Sequence, residues 1–277
     1  MSRRTTAIAA ALSLLALGSP LITGCTNPLG IHYYNQGVEK YKADNYQGSI
    51  DDYTKAIEIN PQDADAFYNR GIAKYALKDY QGAIDDYTTV IGIDPEYTTS
   101  YLNRGVAKDA LNNYQGAISD FTKALDINSQ FIDAYYNRGA SKYRLADYQG
   151  AALDYTKIIE IDPKQAHAYT NRGDIKARFT DDYQEAIADF DKAIEINPQD
   201  ARAFNLRGHA KIKLKDHQGA IDDWSMAIEI NLQDSYAYLN RGSARESLND
   251  LEGACRDWRK AADLGLEKPA EWVKNQC

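Results

Sequence analysis

From Ala64 to Pro95 the apolar, small and polar residues recur at helical spacing. Phe67, Gly71, Lys74 and Tyr75 fall on one such register, and Ala83, Tyr87 and Val90 on a second. Between them Lys78-Asp79-Tyr80-Gln81 reads as a polar turn carrying an aromatic plug. Asp94-Pro95 ends the second run, because proline disfavours helical geometry at the residue before it. The spacing predicts two helices, A then B. Gly71 and Ala83 stand at matching places on them, where small side chains let the axes approach and larger neighbours fill the grooves.

The pattern recurs through almost the whole chain. Tyr68-Asn69-Arg70-Gly71 returns as Leu102-Asn103-Arg104-Gly105, Tyr136-Asn137-Arg138-Gly139, Thr170-Asn171-Arg172-Gly173 and Leu239-Asn240-Arg241-Gly242. Worn copies are Tyr34-Asn35-Gln36-Gly37 and Asn205-Leu206-Arg207-Gly208, and successive glycines lie 34 or 35 residues apart. One helical hairpin cannot bury its own apolar face, so such a period predicts an all-α stacked array. Length alone suits one or two domains; the repeats turn that into one elongated array.

An aromatic, Gly four residues on, Tyr-x-x-Ala, a further aromatic, Ala and Pro, in that order, resemble the tetratricopeptide repeat (TPR). Seven units follow: 30–63, 64–97, 98–131, 132–165, 166–200, 201–234 and 235–268. The resemblance implies a right-handed superhelix of helix pairs, an α-solenoid serving as a protein-binding scaffold. It implies ligands in a concave groove lined by A helices and leaves their identity open. Repeat 5 carries one extra residue around Thr180-Asp181-Asp182-Tyr183, expected in the A–B turn. Repeats 3 and 6 have Ser129 and Leu232 in place of the terminating proline, where helix B is expected to run on more smoothly. Residues 267–277 read as a terminal capping helix and tail.

Groove positions carry the candidate binding residues. Asn35, Asn69, Asn103, Asn137, Asn171 and Asn240 form one column, broken by Leu206. An amide offers a donor and an acceptor, which suits an extended peptide backbone. Tyr34, Tyr68 and Tyr136 stand beside it, with Tyr41, Tyr75 and Tyr143 further along; they either line the groove or pack between A helices. Repeats 4 to 6 add Arg144, Arg178, Arg202 and Lys213, with His167 and His209 able to join at lower pH and only Asp133 and Asp174 opposed. A basic concavity on an acidic molecule draws in an acidic partner, with Asn137 and Asn171 on its backbone; the open alternative is that these cations pair with acids of neighbouring repeats and leave no net field. The carboxylate clamp of TPR co-chaperones is matched only in its Asn-Arg context; Tyr34 and Val38 stand at other clamp positions, so chaperone-tail binding of that type is not expected.

A second pair of columns has a structural reading. Asp52, Asp86, Asp120, Asp154, Asp189, Asp223 and Asp257 recur in helix B, and Arg70, Arg104, Arg138, Arg172, Arg207 and Arg241 in helix A. Stacked beside one another they predict an ion-pair ladder.

The first 24 residues lie outside the array. Arg3-Arg4 precede an apolar run from Ala7 to Leu17, too short for an ordinary membrane span. Ile22-Thr23-Gly24-Cys25 resembles the bacterial lipobox, which implies a signal peptide over 1–24, acylated Cys25 and a short tether over 25–29. Each buried methylene contributes about 0.8 kcal/mol, so several acyl chains anchor effectively permanently. The expectation is an exported protein held on a bacterial membrane, facing periplasm or exterior. Export permits a disulfide between Cys255 and Cys277; a buried thiol plus a tail thiol is the open alternative.

Removing Arg3 and Arg4 leaves 40 acidic against 30 basic residues, about −10 in charge, which argues against nucleic acid as a partner. Phosphate-binding loop, HExxH, GxSxG and CxxC motifs are absent, and the four histidines lack metal-ligand spacing. No enzyme activity, metal or cofactor is expected. The leading expectation is a membrane-anchored scaffold docking protein partners. The alternative is an envelope enzyme or carbohydrate-binding module acting on cell-wall material.

Overall fold

The computed structural model describes residues 27–277, so the leader and Cys25 lie outside the described residues. These residues form helices α1 (Pro28–Lys42), α2 (Tyr46–Ile59), α3 (Ala64–Ala76), α4 (Tyr80–Ile93), α5 (Thr98–Ala110), α6 (Tyr114–Ile127), α7 (Ile132–Arg144) and α8 (Tyr148–Ile161). There follow α9 (Ala166–Ile175), a π-turn (Lys176–Thr180), α10 (Tyr183–Ile196), α11 (Ala201–Lys213), α12 (His217–Ile230), α13 (Ser235–Ser247), α14 (Leu251–Asp263) and α15 (Glu267–Gln276). Odd-numbered helices through α13 are the A helices and even-numbered ones the B helices of seven repeats. No strand occurs among the described residues.

The chain divides into two compact units, one ending at Asp154 and one running from Tyr155 to Cys277. Packing runs between consecutive helices, A helix against its own B helix and B helix against the next A helix.

Six of the hairpins close on a glycine–aromatic contact. A Cβ on Gly37, Gly71, Gly105, Gly173, Gly208 or Gly242 would lie within 3.0 Å of Tyr53, Tyr87, Phe121, Phe190, Trp224 or Trp258 respectively. Those six rings are almost wholly buried. Fully burying such a side chain contributes roughly 1.5–3 kcal/mol, so glycine is required where the ring of helix B meets helix A.

The ladder forms, and it does more than close hairpins. Arg70, Arg104, Arg138, Arg172, Arg207 and Arg241 pair with Asp86, Asp120, Asp154, Asp189, Asp223 and Asp257 in their own repeats. A remaining guanidinium nitrogen of each arginine reaches back to helix B of the preceding repeat. It meets Thr54, Thr88, Thr122, Thr156 or Ser225 at 3.1–3.2 Å, or Asp191 at 2.5 Å. Repeat 1 has Gln36 at the arginine position, and Asp52 turns to Lys40 and Lys55 instead.

Helix ends correct two expectations. Ser129 and Leu232 do not let helix B run on: α6 stops at Ile127 and α12 at Ile230, as in the proline-bearing repeats. The stop signal is the residue before the proline position. Asn128 and Asn231 adopt extended backbone, and their side chains accept from the amides of Gln130 and Gln233 at 3.0 and 3.1 Å. Asn60, Asp94, Asp162 and Asn197 do the same ahead of their prolines. At the other end of the chain, the expected tether over 25–29 is too long. Pro28 sits in the first turn of α1, where its missing N–H costs nothing, and Asn27 caps the amide of Leu29.

The cap packs on α14. The rings of Trp258 and Trp272 meet edge to face at 5.2 Å. A disulfide joins Cys255 to Cys277, with Cα atoms 5.8 Å apart.

Candidate peptide-binding face

The asparagine column is not a row of free amides. Asn69 and Asn103 are buried. Their Nδ2 atoms donate to the hydroxyls of Tyr34 and Tyr68 in the preceding repeats, at 2.7 and 2.9 Å. Both residues are therefore withdrawn from the groove, and Tyr34 and Tyr68 act between neighbouring A helices. Tyr68 is itself buried, and desolvation raises its pKa. The signal was in the sequence: a tyrosine followed by an asparagine 35 residues on. Asn137 tests that rule, because its partner position holds Leu102, which has no hydroxyl. Its Nδ2 donates instead to the Asp133 carbonyl one turn back, at 2.8 Å. Asn35 is exposed and Tyr136 half-buried.

The tyrosines of the second column stack within their own hairpins, those of repeats 1, 2 and 4. Tyr41, Tyr75 and Tyr143 lie 5.2, 5.0 and 5.3 Å from the rings of Tyr46, Tyr80 and Tyr148. Burial pushes the Tyr75 phenol up to about 12. In repeat 3 the column holds Asp109, and that single change decides the fate of Arg144. The Arg144 guanidinium pairs with Asp109 and lies over the Tyr114 ring at 5.5 Å, while Ser141 donates to the other Asp109 oxygen at 2.7 Å. Arg144 is thereby withdrawn from the basic patch. Its opposing acid is Asp109 of the preceding repeat, not Asp133.

Arg178, Arg202 and Lys213 remain, all on the A-helix side of the second unit. Asp174, 6 % exposed, holds two guanidinium groups. Arg178 Nε meets one of its oxygens and Arg202 Nη2 the other, the latter at 3.3 Å. Arg202 Nη1 also donates to Asn171 Oδ1 at 2.8 Å, so Asn171 orients an arginine rather than waiting for a peptide. The Arg178 and Arg202 side chains stay 42 % and 52 % exposed. Lys213 is exposed and has no ion pair among the described residues.

His209 lies on the same face, with Asn240 Nδ2 3.2 Å from its Nε2 and its ring edge-on to Trp224 at 5.3 Å. Desolvation, and then the Arg178 charge, hold its pKa below the ordinary imidazole value. It therefore gains charge only at more acidic pH than an ordinary histidine. His167 is exposed in the first turn of α9. Among the described residues no group of three His, Cys, Asp or Glu side chains is arranged to hold a metal ion, and no helix is long and apolar enough to cross a membrane.

The extra residue of repeat 5 lies in the π-turn that closes helix A, earlier than the loop expected from the sequence. Asp181, with φ 53°, then takes the left-handed position filled by Lys78 and Lys215 in their own A–B turns.

A family model described as TPR repeat matches residues 37–78 and 181–215. Models described as tetratricopeptide repeat match 64–97, 98–131 and 132–165. No curated protein matches the sequence. Among solved structures, a tetratricopeptide repeat protein from Parabacteroides merdae is 20% identical, with TM-score 0.65, covering 90% of this chain and 98% of its own. The C-terminal part of a TPR repeat-containing protein from Cytophaga hutchinsonii is 17% identical, with TM-score 0.73, covering 86% and 98%. YrrB, described as a TPR protein with an unusual peptide-binding site, is 24% identical, with TM-score 0.58, covering 67% and 95%.

Proposed function

Because the chain belongs to the tetratricopeptide repeat family, we propose that it is a protein-docking scaffold. In this reading acylated Cys25 tethers it to a bacterial membrane, facing the periplasm or exterior, and an acidic segment of a partner docks on the A-helix side of repeats 5 and 6. The observation that carries the docking reading is the charge balance there. Arg178 and Arg202 share one buried carboxylate, Asp174, Lys213 adds a third cation with no ion pair among the described residues, and all three side chains are exposed. A local excess of cations on a chain of net charge −8 concentrates field and favours an acidic partner. The peptide-binding site of YrrB lends the general mode support by kinship of fold.

The tether rests on the lipobox-like Ile22-Thr23-Gly24-Cys25 behind a short apolar run. Mass spectrometry of the mature N-terminus is expected to find acylated Cys25, and Cys25→Ser protein is expected to leave the membrane fraction. Unmodified Cys25 overturns the tether alone.

Docking is tested by reversing charge with Arg202→Glu and Lys213→Glu together. Capture of an acidic peptide should weaken strongly, and wild-type affinity should fall as salt rises. Equal capture by both proteins at low and high salt places the site elsewhere. The alternative of an enzyme acting on cell-wall material gains nothing here. Asp174 is occupied by two guanidinium groups rather than standing open beside a second acid.

A further inference from the structure

We propose that the extra residue of repeat 5 builds a receptor for a single carboxylate, with the Arg178 guanidinium as its fork. The inference rests on the docking reading above and adds to it the group that makes the contact.

Helix A of repeat 5 ends differently from its counterparts. Five residues, Lys176–Thr180, form a π-turn, and Arg178 lies in its middle. Such turns shift the residues after them around the helix axis and recur at functional sites. At the matching place in repeat 4, Arg144 is consumed: its terminal nitrogen is bound to Asp109, and its plane lies over Tyr114. Arg178 is held in another way. Asp174, one turn earlier, engages its Nε. The two terminal nitrogens of Arg178 have no hydrogen-bond partner among the described residues, and the side chain is 42 % exposed. A guanidinium held by an ion pair on its Nε side, without a directional hydrogen bond there, and open at its fork can offer bidentate contact to a carboxylate.

The surroundings favour an anion. Asp174 is almost buried and also bound to Arg202, which is fixed by Asn171. The trio of two arginines and one aspartate keeps one net positive charge. Lys213 adds another from the neighbouring A helix. A ligand carboxylate on the Arg178 fork would balance that excess. Its source is either an Asp or Glu side chain or the C-terminus of the partner, and both offer the same two oxygens.

The test uses the full mature chain and short fluorescent peptides read by anisotropy. One is acidic with a free C-terminus, the second is its C-terminal amide, and the third replaces its acids by amides. Arg178→Lys keeps the charge and removes the fork. Deleting Thr180 restores the common repeat length, and circular dichroism checks that the helices survive. The acidic peptide should bind wild type and lose about tenfold in affinity to Arg178→Lys, the size of one lost charge-assisted contact. The Thr180 deletion should lose a similar amount. Loss on amidating the terminus assigns the carboxylate to the C-terminus; loss on neutralising the side chains assigns it to Asp or Glu. Binding by Arg178→Lys within about twofold of wild type overturns the receptor and leaves the docking reading standing. Failure of every acidic peptide to bind wild type overturns both.

Discussion

Arg70 and Asp86 meet fork to fork: Nε lies 3.0 Å from one carboxylate oxygen and Nη2 2.7 Å from the other. Lys74 closes on the same carboxylate at 2.8 Å, and Asp86 is nearly buried. Two cations thus depend on one acid, and the arginine extends the bond to Thr54 of the preceding repeat. Asp86→Asn leaves both cations short of charge in a partly desolvated site. It is expected to cost about 3 kcal/mol, the lower end for breaking a buried pair, since the cations keep some solvent. Asp52→Asn should cost clearly less, because Lys40 and Lys55 are 40 % and 51 % exposed. Urea unfolding of the two variants compares them; equal losses would deny the ladder its structural weight.

Gly105 faces the Phe121 ring so closely that a Cβ there would stand only 2.6 Å from Cε1. Gly105→Ala is expected to destabilise by about 1–3 kcal/mol through overpacking. Phe121→Leu in the same chain should recover part of that loss. A double-mutant cycle measures the coupling, and additive effects would show that the two residues do not share this contact.

Ser129 follows an asparagine that already ends its helix, and its amide makes no backbone hydrogen bond among the described residues outside the helices. Pro61, Pro95, Pro163 and Pro198 fill the same place elsewhere. Ser129→Pro should therefore stabilise by about 0.4–1 kcal/mol, by narrowing the unfolded ensemble. A lower denaturation midpoint would mean that this junction differs from its counterparts.

The repeat, the two helices of each unit and the ladder were legible because each reports local periodicity or a column of like residues. Arg70 and Asp86 sit 16 residues apart in every copy, or 17 in repeat 5, so the column pairs itself. The binding face was only partly legible. Asn69 and Asn103 look like groove amides until Tyr34 and Tyr68 bring hydroxyls to them across a repeat boundary. Arg144 looks free until Asp109, which stands between Tyr75 and Tyr143 in its column, takes it. Such partners come from neighbouring repeats, and which side chain reaches across depends on packing rather than spacing. The π-turn was invisible for another reason: an extra residue fits equally well into a loop or into the last turn of a helix, and only backbone geometry separates the two.

His209 has a lowered pKa, so its neutral form is favoured in the fold. Stability from this group is fully present above the ordinary value of 6.5 and is lost as pH falls through the lower folded value. Titration by NMR should place its midpoint below 6.5. His209→Asn protein should lose less stability than wild type on acidification through that window. A midpoint at or above the ordinary value would contradict the lowering assigned to partial desolvation and the Arg178 charge.

Docking on the A-helix side of repeats 5 and 6 is most directly tested by amide chemical-shift mapping as an acidic peptide is added. The account predicts shifts centred on 167–178 and 202–213, with α10 and α12 of the same unit nearly silent. Shifts centred on α10 and α12, or none at saturating peptide, would contradict it.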